Sequence, residues 1–225
     1  MLEFCNVTYS YEQPSKGRAV PILQDLTFRF EPSRLYAVTG PSGSGKSTFL
    51  ALAAGLDAPT EGSVRFATTD LQVLGYRWYR NRHVGIVFQS LNLIPYLNAL
   101  DNVVVAMDIK GVEGIRRERA LAALERVGID EALARRSVGT LSGGQQQRVA
   151  IARALACEVD LLLCDEPTGS LDQETAAQII GILKEIAGRD NKCVIAVTHS
   201  GRVEKAADVV LRLTGGTLAA RSKEA

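Results

Sequence analysis

No apolar run in this chain approaches the roughly 18 residues that a helix needs to cross a bilayer. The first residues, Met1-Leu2-Glu3-Phe4, lack a basic segment followed by an apolar stretch, so no secretion signal is expected. An excess of either charge is also missing. The 26 basic and 25 acidic side chains leave a net charge of +1, which gives no footprint for general nucleic-acid binding. Cysteine is sparse, and Cys5, Cys157, Cys164 and Cys193 show no C-x-x-C spacing. That argues against a disulfide framework or a zinc site and for reduced thiols in a cytosolic core. Cys164 sits in an apolar run and reads as a small hydrophobe. Internal repeats and low-complexity segments are absent. What remains is an ordinary globular composition in 225 residues, enough to bury a substantial core without metals or disulfides.

The hydrophobic pattern changes character along the chain. Leu2 and Phe4, then Leu26, Phe28 and Phe30, alternate as in half-buried strands of an antiparallel sheet, with a polar hairpin loop at Glu12–Gly17 between them. Leu35–Thr39 is a short apolar strand running into Gly40, and Lys46–Ala54 reads as a helix. Asp57–Gly62 is a turn, and Val84–Phe88 a buried strand ending at Gln89. From there to about Thr140 the pattern is helical, with Leu121 and Leu124 on one face of an amphipathic Arg116–Val127. Strand and helix then alternate again. Leu161–Cys164 and Cys193–Val197 are continuous apolar strands, Glu174–Ala187 is a helix, and Val209–Leu213 and Thr217–Ala219 are placed to close the sheet. The polar tail after Ala220 should fray. The class is α/β: a phosphate-loop core with a mainly parallel sheet, an N-terminal antiparallel β subdomain and an inserted α-helical subdomain. One domain spans 1–225, with 1–88 and 141–225 forming the core and its β subdomain and 89–140 the helical insertion.

Gly40-Pro41-Ser42-Gly43-Ser44-Gly45-Lys46-Ser47 has the spacing of a nucleotide-phosphate loop, and it lies between a strand and a helix as that motif requires. The glycines let the backbone curl around phosphates and turn N–H groups inward, and the helix adds its positive N-terminal end. Lys46 supplies a mobile charge for the β- and γ-phosphates, Ser47 a hydroxyl for Mg²⁺, and Thr48 a contact to the α-phosphate.

Two further segments bear on the chemistry. The run Leu161–Cys164 delivers Asp165 and Glu166 to the carboxyl end of a buried strand, where ligands bind in such sheets. Asp165 would hold Mg²⁺ through water and Glu166 would polarise the attacking water as general base. An acidic pair can also merely cap a strand, and the neighbouring phosphate loop is what favours the chemical reading. Leu141-Ser142-Gly143-Gly144-Gln145 combines a capping box with two glycines in the first helical turn. Each glycine costs up to about 1 kcal/mol of helix propensity. Such a choice implies a bare helix end that a phosphate approaches closely.

Taken together, Gly40–Ser47, Gln89, Leu141–Gln145, Asp165-Glu166, Ser170-Leu171-Asp172 and His199 resemble the nucleotide-binding subunit of ABC transporters, in that family's order and over nearly the whole chain. The stretches Leu141–Leu155 and Asp165–Asp172 are similar to the subgroup of lipoprotein-releasing, macrolide-exporting and cell-division ATPases. The resemblance implies an ATPase that uses ATP and Mg²⁺. It implies that Tyr11 stacks on adenine, with Tyr9 as the competitor. Gln89 would touch Mg²⁺ and the attacking water, and His199 would hold the γ-phosphate.

It also implies a second copy packed head to tail. Ser142, Gly143 and Gly144 of one copy would complete the site of the other, and Asp172 would cross between them. A membrane permease is the implied partner, engaged through the loop Ser90–Leu100, so the subunit would be cytoplasmic and peripheral on the inner face of the cell membrane. The coupled process would be export, extraction or mechanical work. The alternative is a soluble ATPase of the same type acting in DNA repair or on ribosomes, although coiled coils, zinc insertions and a second core are missing. One departure is Ser33-Arg34 where the family often has Gly-Glu, which affects a turn and leaves the chemistry alone.

Overall fold

The computed structural model of the chain describes residues 1–11 and 21–221, so the hairpin loop expected at Glu12–Gly17 and the tail beyond Arg221 lie outside the described residues. In chain order the strands are β1 (Leu2–Ser10), β2 (Pro21–Phe30), β3 (Arg34–Thr39), β4 (Glu61–Phe66), β5 (Thr69–Asp70), β6 (Val84–Val87), β7 (Leu161–Asp165), β8 (Cys193–Val197), β9 (Val209–Thr214) and β10 (Thr217–Arg221). The helices are α1 (Lys46–Ala53), α2 (Leu71–Leu74), α3 (Tyr76–His83), α4 (Ala99–Lys110), α5 (Arg116–Arg126), α6 (Glu131–Ala134), α7 (Gly143–Leu155), α8 (Gln173–Arg189) and α9 (Gly201–Ala206).

Leu35, Tyr36, Ala37 and Val38 are all buried, and a strand without a polar face must be covered on both sides. It is: β3 lies inside a six-stranded sheet of order β10-β9-β3-β8-β7-β6. Every pairing there is parallel except β9 with β10. The alternation of side chains across this sheet defines two cores. Leu35, Leu162 and Val194 face one that includes Leu100, Val149, Ile151 and Leu183 from the helices. Tyr36, Leu163 and Ile195 face another, shared with Phe49 and Leu52 of α1 and with the second sheet.

The second sheet has four strands in the order β2-β1-β4-β5, all antiparallel. Leu2, Phe4 and Val7 of β1 point inward, opposite Phe30, Phe28 and Leu26 of β2. Phe4 stacks on Phe49 at 5.1 Å between centroids, which seats α1 between the two sheets. The antiparallel sheet of the sequence reading is therefore present, but larger. Glu61–His83, left unassigned there apart from the end of a turn, supplies β4, β5, α2 and α3. The turn at Asp57 gives way to β4 already at Glu61. In α5 it is Leu124 that is fully buried with Ala120 and Ala123, whereas Leu121 is only partly covered.

β6 and β7 are neighbours in register, Val84 with Leu161 and Val87 with Cys164. The chain between them leaves the sheet after β6, forms α4 to α7 and returns. α7 packs on α4 and α5 as well as on β6 and α8.

Candidate functional site

The loop between β3 and α1 is built by backbone conformation. Gly43 and Gly45 have φ of 76° and 96°, a region that a side chain disfavours, and they turn the chain directly into α1. No side chain caps α1, so its first N–H groups are left to the loop. The Lys46 ammonium is mostly buried and donates to the carbonyls of Gly40 at 3.0 Å and Pro41 at 2.8 Å. It is thus folded back over the curl that its own loop makes.

The strand ends β7 and β8 face this loop. Glu166 follows Asp165 with φ of 47°, an uncommon conformation for a non-glycine residue, and its N–H donates to the carbonyl of Val197 at 2.9 Å. That bend aims the carboxylate at the end of β8. Glu166 Oε1 accepts from the backbone N–H of His199 at 3.1 Å, and Oε2 accepts from the Thr198 hydroxyl at 3.1 Å. Thr198 is fully buried, its N–H donates to Val38 of β3 at 3.0 Å, and its hydroxyl accepts from Ser200 N–H. The His199 ring is half-exposed, with Nε2 3.8 Å from Glu166 Oε1. Burial and the adjacent Glu166 push the Asp165 carboxyl above its ordinary value, and Lys46 pulls the other way.

A cleft of about 830 Å³ opens between these elements. Ser42, Gly43, Gly45, Lys46, Ser47 and Thr48 line it from the loop and α1. Gln89, Asp165, Glu166 and His199 line it from the ends of β6, β7 and β8. Gly40, Pro41 and Ser44 shape the loop without lining this cleft, although Pro41 and Ser44 line a smaller one beside it. Ser47, Gln89 and Asp165 present only oxygen donors for a cation. That set suits Mg²⁺, which takes one or two protein oxygens and completes its shell with water and phosphate.

Ser142, Gly143, Gly144 and Asp172 do not line the cleft. They lie together where α7 and α8 begin. The capping box is formed: Ser142 accepts from Gln145 N–H, and the Gln145 side chain accepts from Ser142 N–H. Asp172 caps α8, accepting from the N–H groups of Glu174 and Thr175 and from the Thr175 hydroxyl. Those bonds hold its carboxyl below the usual range. The two glycines differ. A Cβ on Gly144 would sit 2.3 Å from Cγ2 of Thr175, whereas one on Gly143 would meet only Leu171 at 3.8 Å. Close packing of α8 therefore accounts for Gly144, and Gly143 alone leaves helix N–H groups uncovered for lack of a side chain.

Tyr9 and Tyr11 meet edge to face at 5.1 Å. Tyr9 is buried, and its hydroxyl donates to Asp57, which with burial raises its pKa. Tyr11 is 53% exposed and lies outside the lining of the cleft. Cys164 is fully enclosed, and burial pushes its thiol up to about 12, the behaviour of an inert core residue. Thr198 was not singled out in the sequence reading. Its only signal was its place between a buried strand and His199.

The sequence matches the family described as ABC transporter over residues 23–169. It is 43% identical to YclH of Bacillus subtilis, an uncharacterized ABC transporter ATP-binding protein, over 100% of this chain and 98% of that protein. It is 42% identical to the lipoprotein-releasing system ATP-binding protein LolD of Pseudomonas syringae, over 95% of this chain and 94% of that protein. The dimeric structure of the ABC transporter cassette MJ0796 superposes with a TM-score of 0.89 at 36% identity, covering 100% of both chains. That protein is from Methanocaldococcus jannaschii. A dimeric post-hydrolysis state of it, bound to ADP and Pi, superposes with a TM-score of 0.87, also at 36% identity over 100% of both chains.

Proposed function

Because the chain belongs to the ABC transporter family as one of its ATP-binding, ATP-hydrolysing subunits, we propose that two copies close head to tail on ATP and pass the motion to a membrane permease. The observation that carries this reading is the division of the site. Lys46, Gln89, Asp165, Glu166 and His199 surround one cleft, while the Ser142–Gly143 helix end lies off it. Each subunit then holds half a site facing the cleft and half a site facing away, and a second copy completes both.

In the closed pair the loop N–H groups and the Lys46 ammonium bind the phosphates, the lysine leaving the carbonyls of Gly40 and Pro41 for the phosphate oxygens. Tyr11 stacks on the adenine. The helix end beginning at Ser142 of the other copy meets the γ-phosphate with its positive end. Ser47, Gln89 and Asp165 would hold Mg²⁺, which supplies neutralisation of phosphate charge. Glu166, already oriented by Thr198 and His199 N–H, takes a proton from a water as its oxygen bonds to the γ-phosphorus. The bond to the β-phosphate oxygen breaks, and ADP and phosphate leave. His199 orients the γ-phosphate, and Asp172 lies at the seam between copies.

Among the described residues no helix is long and apolar enough to cross a membrane, so attachment to the inner face would come from the permease. The relatives named above are ATP-binding proteins of transporter systems, which leaves the DNA-repair or ribosome reading without support. The test is Glu166→Gln with ATP and Mg²⁺. Turnover should vanish and light scattering should report a stable dimer, whereas a monomer at saturating ATP would overturn the two-site reading. The same variant used as bait on detergent-solubilised membranes should recover a polytopic membrane protein, and recovery of nucleic acid or ribosomes alone would overturn the coupling.

A further inference from the structure

The segment after Gln89 is held in an unusual way. Leu91 and Asn92 both have left-handed backbone, φ of 58° and 47°, and both present their carbonyls to one side chain. Arg153 donates from Nη1 to the Asn92 carbonyl and from Nη2 to the Leu91 carbonyl, each at 2.6 Å. A planar guanidinium reaches two acceptors at once, and a charged donor makes each bond stronger than a neutral one. Further along, the buried Asn102 accepts from Ile94 N–H at 2.7 Å and donates to the carbonyls of Ile94 and Asn98. Asn102 belongs to α4 and secures the far end of the segment. Arg153 belongs to α7 and secures the end next to Gln89.

α7 is the helix whose first turn carries the Ser142 cap and Gly143. Thirteen residues in one α-helix form a rod about 20 Å long with an internally satisfied backbone. One end of this rod is the helix start assigned above to the partner's γ-phosphate. Near the other end is a forked clamp on the backbone two residues beyond Gln89. Resting on that assignment, we propose that Arg153 is a positioning residue for hydrolysis: it locks the Gln89 segment to α7, so that seating of the Ser142 end on ATP also sets Gln89 in the opposite site of the same chain. Of these two left-handed residues Asn92 tolerates the conformation, while Leu91 is unfavourable there without compensation, and the clamp maintains that arrangement.

The experiment is a double-mutant cycle on the full chain with ATP and Mg²⁺, using Arg153→Lys and Gln89→Ala. Lysine keeps the charge and loses the fork. Arg153→Lys should lower kcat about tenfold with KM for ATP changed less than about twofold, as expected when an interaction acts in turnover and not in ATP binding. In the Gln89→Ala background it should cost nothing more, since it acts through Gln89. Additive losses in the double variant, or a rise in KM matching the fall in kcat, would overturn the inference. If Gln89→Ala alone leaves kcat unchanged, the assignment of Gln89 fails first, and this inference with it. Amide exchange separates the effect from a folding defect. In Arg153→Lys, exchange over residues 89–93 should accelerate while α7 stays protected, and equal loss of protection in both would identify a purely structural role and sink the proposal.

Discussion

The Thr198 hydroxyl donates to Oε2 of Glu166 at 3.1 Å from a side chain that is itself fully buried. A carboxylate approached in this way is fixed in direction, and hydrogen bonds to charged groups contribute about 1.5–3 kcal/mol each. Thr198→Val removes the donor at nearly constant volume. It should lower kcat roughly tenfold, within that energy range, and leave the dissociation constant for ATP nearly unchanged. A steady-state assay paired with equilibrium binding checks this, and unaltered turnover would show that the His199 N–H suffices.

Asp165 makes a prediction in pH. Burial first, and Glu166 second, raise its carboxyl in the folded chain, so the native state binds that proton more tightly than the unfolded state does. The sign follows: this side chain costs stability increasingly as pH rises from the unfolded carboxyl value of about 3.9 through the higher folded one. Asp165→Asn should therefore melt at a higher temperature than the parent at pH 7, with a smaller gap near pH 4, while Mg²⁺-dependent hydrolysis falls sharply. Calorimetry across that range reads the gap, and one that fails to widen with pH would contradict the argument.

The two glycines of α7 should part company. Gly144→Ala drives a methyl to 2.3 Å from Thr175 Cγ2, and overpacking of this kind costs about 1–3 kcal/mol. Thr175→Ser deletes that methyl and keeps the hydroxyl for Asp172, so it should restore the melting temperature of Gly144→Ala. Gly143→Ala should fold normally yet weaken ATP-dependent dimerisation. Equal melting temperatures for the two alanine variants would refute the distinction.

The two tyrosines separate in the same manner. Tyr11→Ala should raise KM for ATP several-fold, since stacking on a base contributes about 1–3 kcal/mol. Tyr9→Phe should leave KM alone and lower stability by about 1 kcal/mol through loss of the bond to Asp57. A KM effect at Tyr9 instead would exchange their roles.

Legibility in the sequence followed the locality of each cause. β3, β7 and β8 contain uninterrupted apolar runs, and the loop after β3 carries its glycines and lysine in one short stretch, so both could be read directly. β4 is harder to see because only Val64 and Phe66 face inward and Gly62-Ser63 precede them. α3 has no apolar stripe at all: five of its eight residues are Arg, Asn or His, and its single buried residue is Tyr79. The roles of Gly144, Thr198 and Arg153 depend on Thr175, Glu166 and the Leu91–Asn92 carbonyls. Those partners come together only through tertiary packing, and no local pattern announces them. Asp172 marks the opposite case, a residue proposed for the seam between copies that does the locally legible work of an N-cap.

The register of β3 sets an order of events during synthesis. Arg34 pairs with Cys193 and Tyr36 with Val209, so the strand that leads into the phosphate loop has both neighbours near the far end of the chain. The strand pairings of the antiparallel sheet involve nothing beyond Asp70 and can form on the ribosome early, before the β7 and β8 side of the core they share is made. The loop's scaffold cannot, because pairings so distant in sequence form late. A stalled or truncated product would therefore display the glycine-rich motif without a seat for nucleotide. Acquisition of ATP would then mark a chain whose translation has run past β9.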